Sequence, residues 1–175
     1  MRRLCDAKKG KLMENQKMSI STDAIIENGA FDPRYTCDID NSSPDLRWDN
    51  APEGTACFAL IAEDLDAPSG IFTHWVIYNI PTSVHHLPAG IPPQESLPNG
   101  IKQGLNSYGK LGYAGPCPPL GDRPHRYVFT LYALNQALTL IPRMKKDDLL
   151  SAIEPYIIDK VSITGSYQRM IQRAG

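Results

Sequence analysis

The sequence predicts a mainly β protein, an antiparallel β-sandwich with one short helix near its C-terminus, and three observations carry that reading. Fifteen prolines and thirteen glycines in 175 residues punctuate the chain more often than a helical bundle tolerates. Short runs of β-branched and aromatic residues alternate with strong turn signals. One segment alone has helical spacing. An apolar fraction of 42% and a charged fraction of 21% belong to a globular chain, and this length supports a single core.

The elements follow in order. Residues 1–17 are basic at the start, with no apolar stretch behind, and are expected to form a solvated, disordered tail; Met13 and Met18 stand as alternative starts. A single domain is expected over 18–175. Its strands are "SIST" (19–22), "DLRW" (45–48), "TACFALIAED" (55–64), "THWVIYNIP" (73–81), "YVFTLYAL" (127–134) and "VSITGSY" (161–167). The 57–62 and 74–80 runs are almost wholly apolar, which predicts central strands covered on both faces. "KKDDLLSAIEPYII" places Leu149, Leu150, Ile153, Tyr156 and Ile157 at helical spacing, with Asp147 as N-cap and Pro155 ending the last turn. His85 and His86 fall in a surface loop.

Charge and composition narrow the function. The net charge of −1 lacks the basic excess of a nucleic-acid binder. No run reaches the length of a membrane span, and the N-terminus is not a secretory signal. Cys5, Cys37, Cys57 and Cys117 have no zinc-like spacing, so reduced thiols in a cytoplasm are the default expectation. Cys57 opens an apolar strand and reads as core. Cys37 and Cys117 both lie in turn-rich segments, and spacing does not decide whether they meet.

Three segments set polar residues at strand ends. In "EDLDAPSG", alternation puts Asp64 and Asp66 on one side of an extended chain. In "FTHWVIYN", His74 enters the next strand. In "PCPPLGDRPHRY" (116–127), four prolines precede His125, Arg126 and Tyr127. Proline removes a backbone donor and fixes φ, so that stretch is a stiff loop. Singly, each residue reads as a local structural hydrogen-bonder.

Together, "DLDAPSGIFTHWVIYNIP", "GYAGPCPPLGDRPHRYVFTLYAL", "YTCDIDNSSPDLRWDNAPEGT" and "GLNSYGKLGYAGP", with the late "ITGSY", resemble the phosphatidylethanolamine-binding protein (PEBP) family. The similarity is to its bacterial and archaeal YbhB/YbcL branch, the Raf kinase inhibitor-like proteins, over roughly residues 19 to 168. The resemblance implies two antiparallel sheets and a small pocket for phosphate or phosphoryl head groups. Carried onto this chain, that pocket falls on Asp64, Asp66, His74, His125 and Tyr127, walled by Gly115, Pro118 and Pro119. It also implies a homodimer. The binding-module reading of the pocket adds a protein partner such as a kinase, and no cofactor, metal or catalytic residue is expected. Ser107 and the Pro155-Tyr156 pair depart from the branch's pattern, at positions expected near the pocket rim.

Two carboxylates beside an anion should repel it, at a cost of several kcal/mol even at an effective dielectric of about 20. The arrangement makes sense if an Asp accepts a hydrogen bond from a histidine and holds it charged. His74 or His125, doubly protonated, would then donate to the anion, helped by Tyr127 and backbone amides near Gly115. Replacing His125 by alanine is expected to weaken binding with the fold intact. The rival reading is a hydrolase using the Asp/His cluster with a metal or as acid and base. No nucleophile elbow supports it, and the residue spacing is generic for a metal.

Overall fold

A computed structural model describes residues 16–170. The expected tail falls almost entirely outside the described residues, as does Cys5. Eight strands and one α-helix follow in chain order: β1 (Ser19–Thr22), β2 (Leu46–Asp49), β3 (Cys57–Asp64), β4 (Phe72–Pro81), β5 (His86–Leu87), β6 (Lys102–Gln103), β7 (His125–Leu134), α1 (Lys146–Ile153) and β8 (Ile157–Tyr167). They form two antiparallel sheets, one ordered β1-β2-β5 and the other β6-β4-β3-β7-β8. No helix among the described residues is long and apolar enough to cross a membrane.

The near-continuous apolar run of β3 follows from its two covered faces. Phe58, Leu60 and Ala62 pack into the larger core with Leu46 and Trp48 of the smaller sheet. The alternate residues Cys57, Ala59 and Ile61 pack on the opposite face, against Leu149 and Ile153 of α1. Both α1 residues are fully buried. That helix therefore serves as a lid for the outer face of the large sheet.

The expectations for α1 need correction at both ends. Lys145, not Asp147, holds the N-cap position, and Asp147 and Asp148 lie in the first turn, where negative charge suits the helix dipole. Pro155 does end the helix. The chain passes through one 3-10 turn (Glu154–Tyr156) and starts β8 at Ile157, so Tyr156 and Ile157 are not helical. His86 is not in a loop either; it pairs with Arg47 across β5 and β2 and contacts Asp45.

A second correction concerns the thiols. Cys37 and Cys117 form a disulfide, with Cα atoms 5.4 Å apart across 80 residues of sequence. Cys57 is free and buried, as a core residue should be.

One irregularity positions chemistry. Along β3 and β4, Ala62 faces Trp75 and Glu63 faces Thr73, so His74 is the extra residue of a β-bulge. A bulge re-aims the side chain it carries. Regular alternation from Trp75 would send His74 to the α1 face. The bulge instead brings its ring within 5.3 Å of the Tyr127 ring.

Candidate functional site

Asp64 closes β3 and faces Phe72 of β4 on one side and Tyr127 of β7 on the other. His125 lies two residues before Tyr127, on the same face of β7. Register and bulge thus gather Asp64, His74, His125 and Tyr127 at one end of the large sheet. All four are buried.

A cavity of about 170 Å³ opens here, lined by Asp64, His74, Pro118, Pro119 and His125 together with Pro68, Phe72 and Tyr108. That is roughly six times the ~30 Å³ share of one water molecule, which suits a single small group. Gly115 instead lines a larger neighbouring cleft of about 550 Å³, and Cys117 and Tyr108 belong to both. Gly115 has its own packing role: a Cβ there would stand 2.3 Å from the Tyr35 carbonyl oxygen. Its amide donates to Asn41 Oδ1 at 2.7 Å.

The two aspartates do not share a side. The strand stops at Asp64, whose Oδ1 accepts the Asp66 amide at 2.8 Å, and the chain turns. Asp66 Oδ2 accepts both the amide and Nε of Arg126, while Oδ1 accepts from the Arg126 and Arg123 guanidinium groups. The Arg126 contacts hold the Asp66 carboxyl far below the usual range. Asp66 is a structural clamp between the end of β3 and the start of β7.

His125 is held from both ring nitrogens. Nδ1 donates to Asp64 Oδ2 at 2.7 Å and Nε2 to Asp122 Oδ2 at 3.1 Å. A neutral imidazole can donate only once, so this pairing calls for the imidazolium. Burial opposes that charge, but the hydrogen bonds to Asp64 and Asp122 overcome it and raise the His125 pKa. His74 goes the other way: burial pushes its pKa down, against the opposing effects of the Ala114 carbonyl and Asp64. Its Nδ1 meets the Ala114 carbonyl oxygen, which assigns the proton to Nδ1 and the lone pair to Nε2.

The expected doubly protonated donor is therefore split between two residues. His125 carries the charge but has both N–H groups engaged, while His74 is neutral. Tyr127 is the remaining donor, although it is not among the residues that line the cavity. Its hydroxyl is buried without a partner of full hydrogen-bond geometry, with the Asp64 carboxylate close by, and burial first, then Asp64, raises its pKa strongly, so it remains an O–H donor.

Asp122 went unnoticed in the sequence, although an aspartate three residues before a histidine across a tight turn is the signal that finds it. Phe72 and Tyr108 were missed as well. Their rings lie 4.7 Å apart, with Phe72 4.9 Å from His74. Ser107 is not on the cavity's lining; it exchanges hydrogen bonds with the Thr73 backbone. Pro155 and Tyr156 are not near the pocket. They lie next to Ile157, which pairs with Leu134, whereas His125 pairs with Tyr167 at the far end of β7.

Among the described residues, no three His, Cys, Asp or Glu side chains converge as metal ligands. The chain matches the family model described as phosphatidylethanolamine-binding protein over residues 21–168. It is 45% identical over 152 residues to a UPF0098 protein of Methanothermobacter thermautotrophicus, spanning 87% of this chain and 99% of that one. A UPF0098 protein of Aquifex aeolicus is 41% identical over 169 residues, spanning 91% and 98%. Among solved structures, Escherichia coli YbcL, described as a new member of the mammalian PEBP family, superposes with a TM-score of 0.80. The identity there is 30%, covering 87% of this chain and 99% of YbcL.

Proposed function

The chain belongs to the phosphatidylethanolamine-binding protein family, and from that premise we propose that its small cavity is a non-catalytic binding site for one phosphoryl group. The observation that carries this reading is the cavity wall, on which His74 and His125 stand together with the Asp64 that pairs with His125. Tyr127 is not on that lining, but its hydroxyl is buried without a hydrogen-bond partner beside both histidines. A buried polar group left unpaired costs about 1–3 kcal/mol, and a ligand oxygen would relieve that cost. Pro118 and Pro119 give the wall rigidity without competing donors, which lowers the ordering cost of binding. The neutral His74 accepts a P–OH proton at Nε2, or takes up a proton when a dianion arrives. In the first case the proton arrives with the ligand; in the second it is taken up from solvent.

Replacing Tyr127 by phenylalanine tests the reading. Removing an unpaired hydroxyl should leave stability unchanged or slightly raised, while phosphate affinity falls by about 10- to 100-fold, the worth of a hydrogen bond to a charged group. Titration with inorganic phosphate, followed by the imidazole resonances of His74 and His125, reads the affinity. Equal affinity in the variant and the parent would reject the site.

A homodimer and a protein partner such as a kinase belong to the same proposal, on the strength of family resemblance. The Cys37–Cys117 bridge is the chemistry of an oxidising compartment or of a disulfide-rich thermophile interior. A cytoplasmic location fits the second setting.

A further inference from the structure

Asp122 sits outside the cavity's lining yet controls the group that an anion would most want. It lies on a turn closed by its own amide donating to Pro119 O, and its carbonyl accepts from Gln168 Nε2 at 2.7 Å. Its Oδ1 accepts the Arg123 amide at 2.8 Å, and its Oδ2 accepts from His125 Nε2. The two carboxylates on this imidazole are unlike. Asp64 is buried with His125 and fixed at a strand end, whereas the Asp122 side chain is 38% exposed. One is a permanent partner, and the other stands where it can leave.

We propose that the Asp122 carboxylate is an intramolecular stand-in for the ligand's oxyanion: it occupies His125 Nε2 in the empty protein, and an incoming phosphoryl oxygen displaces it. The inference rests on the phosphoryl-site reading and adds the His125 Nε2–H to it as a donor. An imidazolium left with a free N–H at 1% exposure is costly, and a tethered carboxylate on a short turn supplies a high effective concentration to fill it. The same tether sets a threshold. The apparent Kd equals the intrinsic Kd divided by the fraction of molecules with the site open. A seating of about nine times in ten, for instance, makes phosphate bind roughly tenfold more weakly than the open site allows. The ligand class is narrowed accordingly to a terminal phosphoryl group, whose several oxygens can meet His125 and Tyr127 together. A bridging phosphodiester presents fewer free oxygens for that purpose.

The test measures inorganic phosphate binding by the full chain and by Asp122→Ala and Asp122→Asn at one neutral pH. A second readout is the Asp122 carboxyl carbon resonance in the parent protein. The expected result is phosphate affinity raised about tenfold in Asp122→Ala and raised in Asp122→Asn, with the parent's Asp122 carboxyl resonance moving as phosphate saturates. Phosphate binding by the parent with equal or weaker affinity in both variants overturns the inference alone. So does a carboxyl resonance that stays put at saturation. No phosphate binding by any of the three proteins overturns the site reading and the inference with it.

Discussion

Replacing His125 by alanine is expected to destabilise this protein by about 3–5 kcal/mol, the usual cost of stranding one partner of a buried ion pair. The cause is Asp64, which is 3% exposed and has its Oδ2 on His125. The sequence reading expected that substitution to spare the fold; burial of the pair changes the expectation. Urea unfolding of parent and variant measures the difference, and a loss below about 1 kcal/mol would place the pair in the class of exposed bridges. Adding Asp64→Asn should recover part of the loss, because the stranded charge is then gone. The penalty also has a pH signature. The folded pKa of His125 is raised above the ordinary value of about 6.5, so the pair's contribution is full below that pH. It fades as pH rises through the raised value, and the parent should converge toward the variant there. His74 titrates with the opposite sign, and because the His125 charge helps to lower its pKa, its contribution also changes in the variant and does not cancel fully in the difference.

Breaking the Cys37–Cys117 bridge is the second large effect, expected to cost about 2–4 kcal/mol. The bridge closes a loop across 80 residues, for which chain entropy alone predicts about 4.5 kcal/mol. The double substitution Cys37→Ser, Cys117→Ser should unfold at a markedly lower urea concentration than the oxidised parent, and reductant should move the parent to the same midpoint. Coincident midpoints for oxidised and reduced protein would show that the bridge adds nothing. Phosphate affinity should fall in parallel, because Cys117 ties the Pro118–Pro119 wall to the segment that carries Asn41.

The long strands were legible because each must satisfy two packed faces or one, and either demand leaves a pattern in residue type. The runs containing Phe58 to Ala62 and Trp75 to Ile80 could hardly be anything else. β5 and β6, at two residues each, are too short for any period to register. The helix was overextended by a coincidence: Tyr156 and Ile157 continue the spacing of Leu149 and Ile153, yet Pro155 had already turned the chain toward β8. The site was legible in its residue types and less so in its wiring. Asp66 looked equivalent to Asp64 because alternation assumes a strand that in fact ends two residues before Asp66. The bulge at His74 left no mark in composition, since an extra residue in a ladder is a property of pairing. Cys37 and Cys117 stand 80 positions apart in connecting segments, and only the complete fold brings them together.

The hydrogen bond from His74 to the Ala114 carbonyl has a consequence for how this site can drift over generations. A histidine tautomer set by a neighbouring side chain can be lost in a single mutational step. Here the acceptor is main chain, and every amino acid that could replace Ala114 brings the same oxygen. The choice of which nitrogen holds the proton is therefore inherited with the path of the loop rather than with any one codon. Changing it requires moving backbone that is also held by the Ala114 amide on the His74 carbonyl.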